Sequence, residues 1–196
     1  MSVLVKMYVS LLPAIIAGIF NMIWCKSSFM NVLSVPIDNK IILKDKERLF
    51  GDNKTWKGFI GMIFFGVVFT IIWGYICSTN NYLTNNNYMY VNYANTLTYN
   101  SIMGALFGFA YALFELPNSF IKRRMKITPG KRISGLKGVF FVFIDQADSV
   151  IGCVIVLCLV YKMSVGMFIL YILVGALTHI IINMLLYFAK LRKNMF

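Results

Sequence analysis

Five long apolar runs alternate with polar stretches along the chain, at about 9–24, 59–77, 101–116, 139–161 and 165–189. The second, at 19 residues, would reach roughly 28 Å as a helix, enough to cross a bilayer. The third is shorter, and its Gly104 and Gly108 give a small-xxx-small spacing that lets helices pack closely. The first carries small residues at Ala14, Ala17 and Gly18, so a signal peptide is an alternative to a span. It continues through Phe20, Met22, Ile23 and Trp24 without a clear cleavage site, which favours a retained span. Pro13 near its start is tolerable in a membrane helix. The pattern predicts an all-α integral membrane protein: one domain over 1–196 with five transmembrane helices and no internal repeat.

Composition agrees. Of 196 residues, 59% are hydrophobic and only 13% charged, with mean hydropathy +0.73; a soluble domain rarely has this balance. Cys25, Cys77, Cys153 and Cys158 form no CxxC pair and read as free thiols.

The basic residues set an orientation. Seven Lys or Arg lie in 26–58, seven in 117–138 and three in the tail, while Lys6 and Lys162 alone fall on the other side. The positive-inside rule then predicts an outer N-terminus, a cytoplasmic C-terminus and two cytoplasmic polar loops. The formal net charge of +12 is absorbed by this topology and by anionic lipid headgroups, so nucleic acid is not expected as a partner. The 78–100 segment, rich in Asn and Tyr, holds no charged side chain.

The seven acidic residues carry the chemistry. Asp38, Asp45, Glu47 and Asp52 lie in the first basic loop, Glu115 at the end of the third run, and Asp145 and Asp148 within the fourth. Spaced i, i+3, the last two share a helix face. A bare carboxylate at that depth costs on the order of 2.5–3.5 kcal/mol, so a cation must hold the pair. A salt bridge to a loop Lys or Arg, or protonation, is the alternative; a divalent metal such as Mg²⁺ fits better, because paired carboxylates repel without an ion between them.

Two basic stretches suit phosphate. In the first loop Gly51, Asp52, Asn53, Lys54 and Thr55 combine backbone freedom, carboxylate, amide, ammonium and hydroxyl, a mixture that fits a metal-bound polyphosphate. It lacks Walker A spacing, and an ordinary solvated connection is the alternative. In the second, Lys122, Arg123 and Arg124 offer point-charge and forked phosphate contacts. His179, the single histidine, reads as an interhelical hydrogen-bond partner. A phosphate monoester is already largely ionised at neutral pH, so a phosphate nucleophile needs no general base.

These stretches, PID at 36–38, DKERLFGDNKTWKGF at 45–59, ELPNSFIKRR at 115–124 and DQAD at 145–148, resemble the CDP-archaeol synthase family, relatives of the CDP-diacylglycerol synthases. The resemblance covers most of 36–152. It implies a Mg²⁺-dependent cytidylyltransferase of the cell membrane, with its site facing the cytoplasm and a homodimer compatible with the fold. The phosphate of a lipid attacks the α-phosphorus of CTP, pyrophosphate leaves, and a CDP-activated lipid remains for phospholipid synthesis. By position, Asp145 and Asp148 resemble the metal-binding acids. Asp52, Asn53, Lys54 and Thr55 match the first nucleotide and phosphate motif, and Ser119, Lys122 and Arg123 the second. Lys54, Lys122, Arg123 and Asp148 are then the residues expected to carry catalysis. Lys46 stands where a Gly is usual, Val-Leu-Ser-Val replaces glycines before PID, no Pro precedes DQAD, and the 131–138 linker is atypical. Bacterial chains carry this pattern too, so an acyl phosphatidate stands beside an isoprenyl ether-linked substrate. A different class of function, a small transporter or lipid-handling protein with a cation on its intramembrane acids, would call for inverted repeats and broken helices, which the sequence lacks.

Overall fold

A computed structural model describes residues 3–128 and 135–190. Lys131, Arg132 and the rest of 131–134 in the 131–138 linker, with Arg192 and Lys193 of the tail, lie outside the described residues. The described chain is helical: α1 (Val3–Lys26), α2 (Trp56–Ser78), a short α3 (Asn81–Asn85), α4 (Leu97–Arg124), α5 (Gly135–Val160) and α6 (Val165–Phe188). Five of these, all but α3, are long and apolar enough to cross a membrane. Hydroxyl caps fix several starts: Thr55 accepts from Gly58 N–H, Thr96 from Tyr99 N–H and Ser164 from Met167 N–H. Each cap satisfies an orphan donor and contributes about 1 kcal/mol.

The long helices stack side by side in the order α1, α2, α4, α5, α6, with α4 between α2 and α5. Backbone-to-backbone approach sets the α2–α4 distance. A Cβ at Gly104 would stand 2.4 Å from the Gly66 carbonyl oxygen, and one at Gly66 would meet the Gly104 oxygen at 2.4 Å. The small-residue spacing is therefore a contact surface, as the sequence implies. Along the seam of α1, α4, α5 and α6 run the buried Met7, Leu11, Phe107, Cys153, Val154 and Leu157. All four cysteines are free.

Two elements differ from the expectation. The third span does not end at Leu116: α4 continues through Pro117 to Arg124, so the segment expected to open the second loop is helical. Proline forfeits one hydrogen bond, to the Leu113 carbonyl, and Lys122, Arg123 and Arg124 in the last turn complement the negative end of the helix dipole. The Asn-rich segment is also folded. Asn80 caps α3, the Tyr88 N–H donates to Ser10 Oγ, and Tyr88 and Met89 are buried against the ends of the long helices.

Candidate active site

The first polar loop is ordered by one carboxylate. Asp38 is buried and accepts from Arg48 (Nη2 and Nε), from the backbone N–H groups of Phe50 and Gly51 at 3.0 Å each, and from Lys40 N–H. Burial alone would raise its pKa, but the Arg48 guanidinium and the three N–H donors outweigh it and hold the group at about 2, against an ordinary 3.8. Gly51 permits the turn these bonds need, with φ of 95°. Arg48 reaches onward to Asp52 at 2.8 Å. The loop is closed below by paired backbone at Ile37–Lys54 and Trp56–Val35. Lys57, fully buried, ties it to the end of α1 by donating to the Ser27 carbonyl at 2.6 Å and to Asn31 Oδ1 at 3.2 Å.

Since the folded pKa of Asp38 lies below its unfolded value, its contribution is present above about pH 4 and is lost as pH falls through 2. Asp38→Asn is expected to lower the thermal midpoint at pH 7 and to flatten its decline below pH 4, followed by melting in detergent.

So ordered, the loop places Lys54 against α4, where its ammonium pairs with Glu115. Burial would depress the Lys54 pKa, but Glu115, with Asp148 and Asp145 behind it, keeps it above the ordinary value. Glu115, Asn118 and Lys122 follow at spacings of three and four on α4, which puts them on one face. Opposite stand Asp145 and Asp148 of α5. The Asn118 amide Nδ2 donates to both, at 2.6 Å to Asp145 Oδ1 and 2.9 Å to Asp148 Oδ2, so the two carboxylates do face one point. Lys122 pairs with both oxygens of Asp145, and Ser149 N–H donates to Asp148 Oδ1 at 2.6 Å. Asn118 is buried and its Oδ1 has no hydrogen-bond partner among the described residues.

Lys54, Lys122, Asp145 and Asp148 are thus brought together. Other residues singled out in the sequence have separate duties. Thr55 caps α2, Ser119 Oγ donates to the Glu115 carbonyl on its own helix, and Asp52 and Asn53 are exposed at the rim. Arg124 bonds Asp45 at 2.7 Å and the Arg48 carbonyl, pinning the loop to the end of α4. Arg123 is 6% exposed, and its Nε has no hydrogen-bond partner among the described residues. His179 meets the Tyr111 hydroxyl across α4–α6 at 3.0 Å. Glu115, Asn118 and Asp38 join the site beyond those singled out. The first two lie in the ELPN stretch and share a helix face with Lys122 (i, i+3, i+7), a pattern visible once Pro117 is read as helical.

Three carboxylates face two ammoniums here. A part-buried excess of negative charge with hard oxygen donors accommodates a divalent cation. Among the described residues no group of three or more His, Cys, Asp or Glu could hold a metal alone. A pair of carboxylates completed by water and phosphate oxygens can seat such a cation without a dedicated protein cage.

Five apolar helices with an ionic centre between two of them make a multi-pass membrane protein with charged groups held inside it. The whole chain, residues 1–196, matches the family model described as CarS-like CDP-archaeol synthase. It belongs to the CDP-archaeol synthase family, a family of membrane cytidylyltransferases. The chain is 31% identical to CDP-archaeol synthase of Pyrococcus furiosus over 159 residues, 79% of this chain and 80% of that protein. Against CDP-archaeol synthase of Thermofilum pendens it is 26% identical over 174 residues, covering 88% and 72%. Its fold resembles a solved intramembrane enzyme of archaeal membrane lipid biosynthesis, with a TM-score of 0.60 at 21% identity over 90% of this chain and 92% of that one.

Proposed function

We propose that the chain transfers the cytidylyl group of CTP to the phosphate of a lipid glycerol phosphate, releasing pyrophosphate and leaving a CDP-lipid. The observation that carries this reading is the convergence of Asp145 and Asp148 on one point, with Lys54 and Lys122 beside it. Phosphoryl chemistry of this kind requires alignment and charge neutralisation more than proton transfer. The names of the relatives favour an isoprenyl ether-linked lipid, with acyl phosphatidate as the substrate to compare.

Asp145 and Asp148 would hold Mg²⁺, which when bound supplies neutralisation of the triphosphate. Asn118 fits this role, since turning its amide would offer the unpartnered Oδ1 to a cation where Nδ2 now bonds two anions. With the acids so occupied, Lys122 and Lys54, now paired with Asp145 and Glu115, would be free to meet phosphate oxygens. Arg123 supplies a buried guanidinium, Gly51, Asp52 and Asn53 would meet the nucleotide at the rim, and Thr55, Ser119 and Arg124 would hold the helix ends and loop around it. The positive-inside bias of the basic loops supports a cytoplasmic position for this end of the bundle, where CTP is available.

Purified chain with labelled CTP, Mg²⁺ and either an isoprenyl or an acyl glycerol phosphate should yield a labelled CDP-lipid, with the isoprenyl form preferred. No labelled lipid from either substrate would defeat the proposal; equal rates would defeat the choice of tail.

A further inference from the structure

Beyond the last turn of α1 the chain folds back on itself. Met30 takes φ of 52° and ψ of 41°, a left-handed conformation that a Cβ disfavours and that residues other than Gly, Asn and Asp seldom adopt. The turn sets the Phe29 ring edge-on to Trp24, with centroids 5.4 Å apart. A short 3₁₀ turn, Asn31–Leu33, follows. The buried Lys57 pins this arrangement, donating to the Ser27 carbonyl on one side of Phe29 and to Asn31 Oδ1 on the other.

The segment so held presents carbon to its surroundings. Phe29 is 64% and Val32 79% exposed, and Met30 and Val35 are exposed as well. Contiguous apolar surface of this kind marks an interaction site. A row of aromatic contacts, Phe29 to Trp24 to Phe65 to Phe20, joins the patch to the sides of α1 and α2 on which Phe20, Ile23 and Phe64 are exposed. Both helices are membrane-spanning by length and composition, so the patch continues a surface that meets lipid. The level agrees. The 24 residues of α1 reach roughly 36 Å, against a hydrocarbon core of about 30 Å. The chain therefore leaves the core in the last turn of α1. There Trp24 and the exposed Lys26 supply the amphipathic ring and the ammonium that suit a headgroup layer.

We infer that residues 28–35 are an interfacial anchor, whose Phe29 and Val32 side chains enter the bilayer at the boundary between headgroups and acyl chains. The partner is the lipid surface itself. The anchor is coupled to the candidate site, because Val35 and Ile37 pair through their backbones with Trp56 and Lys54; it sets the height of the Lys54 loop against the membrane. Single nitroxides at Phe29→Cys and Val32→Cys, each with the exposed Cys25 replaced by serine, would be read by EPR power saturation in phospholipid nanodiscs. Collisions with oxygen should exceed those with a water-soluble nickel chelate severalfold, as at Phe64→Cys on the exposed side of α2. Adding Val32→Asp should shift the label at position 29 toward nickel, whereas Val32→Leu should leave it in place. Nickel collisions in excess at both 29 and 32 would put the segment in water and overturn the anchor. Protection from both reagents would overturn it too, since a protein surface would then cover the patch, and so would a label unmoved by Val32→Asp. The measurement needs no turnover, so it decides the anchor whether or not the chain forms a CDP-lipid.

Discussion

Asp148→Ala is expected to lower CTP-dependent CDP-lipid formation about a thousandfold while leaving the chain folded and inserted. The two halves of that outcome have separate causes. Asp148 is 8% exposed, and holding a charge inside a membrane span costs on the order of 2.5–3.5 kcal/mol. Alanine removes that cost together with the repulsion from Asp145 and Glu115. The Asn118 amide keeps its bond to Asp145, and the Ser149 N–H, which loses Asp148 Oδ1, lies inside α5, where a helical carbonyl one turn back can accept it. The thermal midpoint should therefore hold or rise. Activity should not survive, because the remaining Asp145 is already neutralised by Lys122 and one carboxylate does not make a two-point seat for a cation. Asp148→Glu separates charge from placement. It restores the charge on a side chain longer by one methylene, and a displacement of about 1 Å at a reacting centre costs on the order of a hundredfold. Turnover by Asp148→Ala within tenfold of wild type would remove Asp148 from the chemistry.

How much of this was legible in the sequence depended on whether the relevant contact was local. Asp145 and Asp148 share a face because they are i, i+3 on a helix, and an apolar run is no place for two anions without a purpose; both facts are visible in eleven letters around DQAD. The partners of those acids were less visible. Lys54 and Glu115 are 61 residues apart, and nothing local in either stretch announces the pair. Asn118 was hidden by its neighbour, since ending the span before Pro117 turns a helix face into a loop. The structure keeps the helix going, and the Glu115–Asn118–Lys122 stripe follows. The first loop was half legible. Its glycines and mixed polar groups marked it as unusual, but Asp52 answers to Arg48 and Thr55 to the α2 terminus. The residue that organises the loop, Asp38, works through donors ten to thirteen positions away. In the Asn-rich segment the absence of charge was plain, whereas the burial of Tyr88 and Met89 in a three-residue turn leaves no periodicity to read.

Lys54→Met should cost at least a hundredfold in turnover and, unlike Asp148→Ala, should also destabilise the chain. The Lys54 and Glu115 side chains are 25% and 27% exposed. Such a pair stands between an exposed one, contributing about 0–1 kcal/mol, and a fully buried one, whose breaking costs about 3–5 kcal/mol. Removing the lysine leaves Glu115 beside Asp145 and Asp148 with its counter-charge gone, at a cost of about 1–3 kcal/mol on that scale. Adding Glu115→Gln takes away the stranded charge, so the double variant should recover most of the stability. It should not recover turnover if Lys54 meets phosphate as proposed, because that ammonium is still missing. Glu115→Gln alone keeps the lysine beside Asp148 and Asp145 and should retain measurable activity. A thermal-melt and turnover cycle over the four chains separates the two roles of Lys54. Recovery of turnover together with stability in the double variant would make Lys54 a counter-ion to Glu115 and nothing more; stability returning alone would leave it a phosphate ligand held ready by a carboxylate on the facing helix.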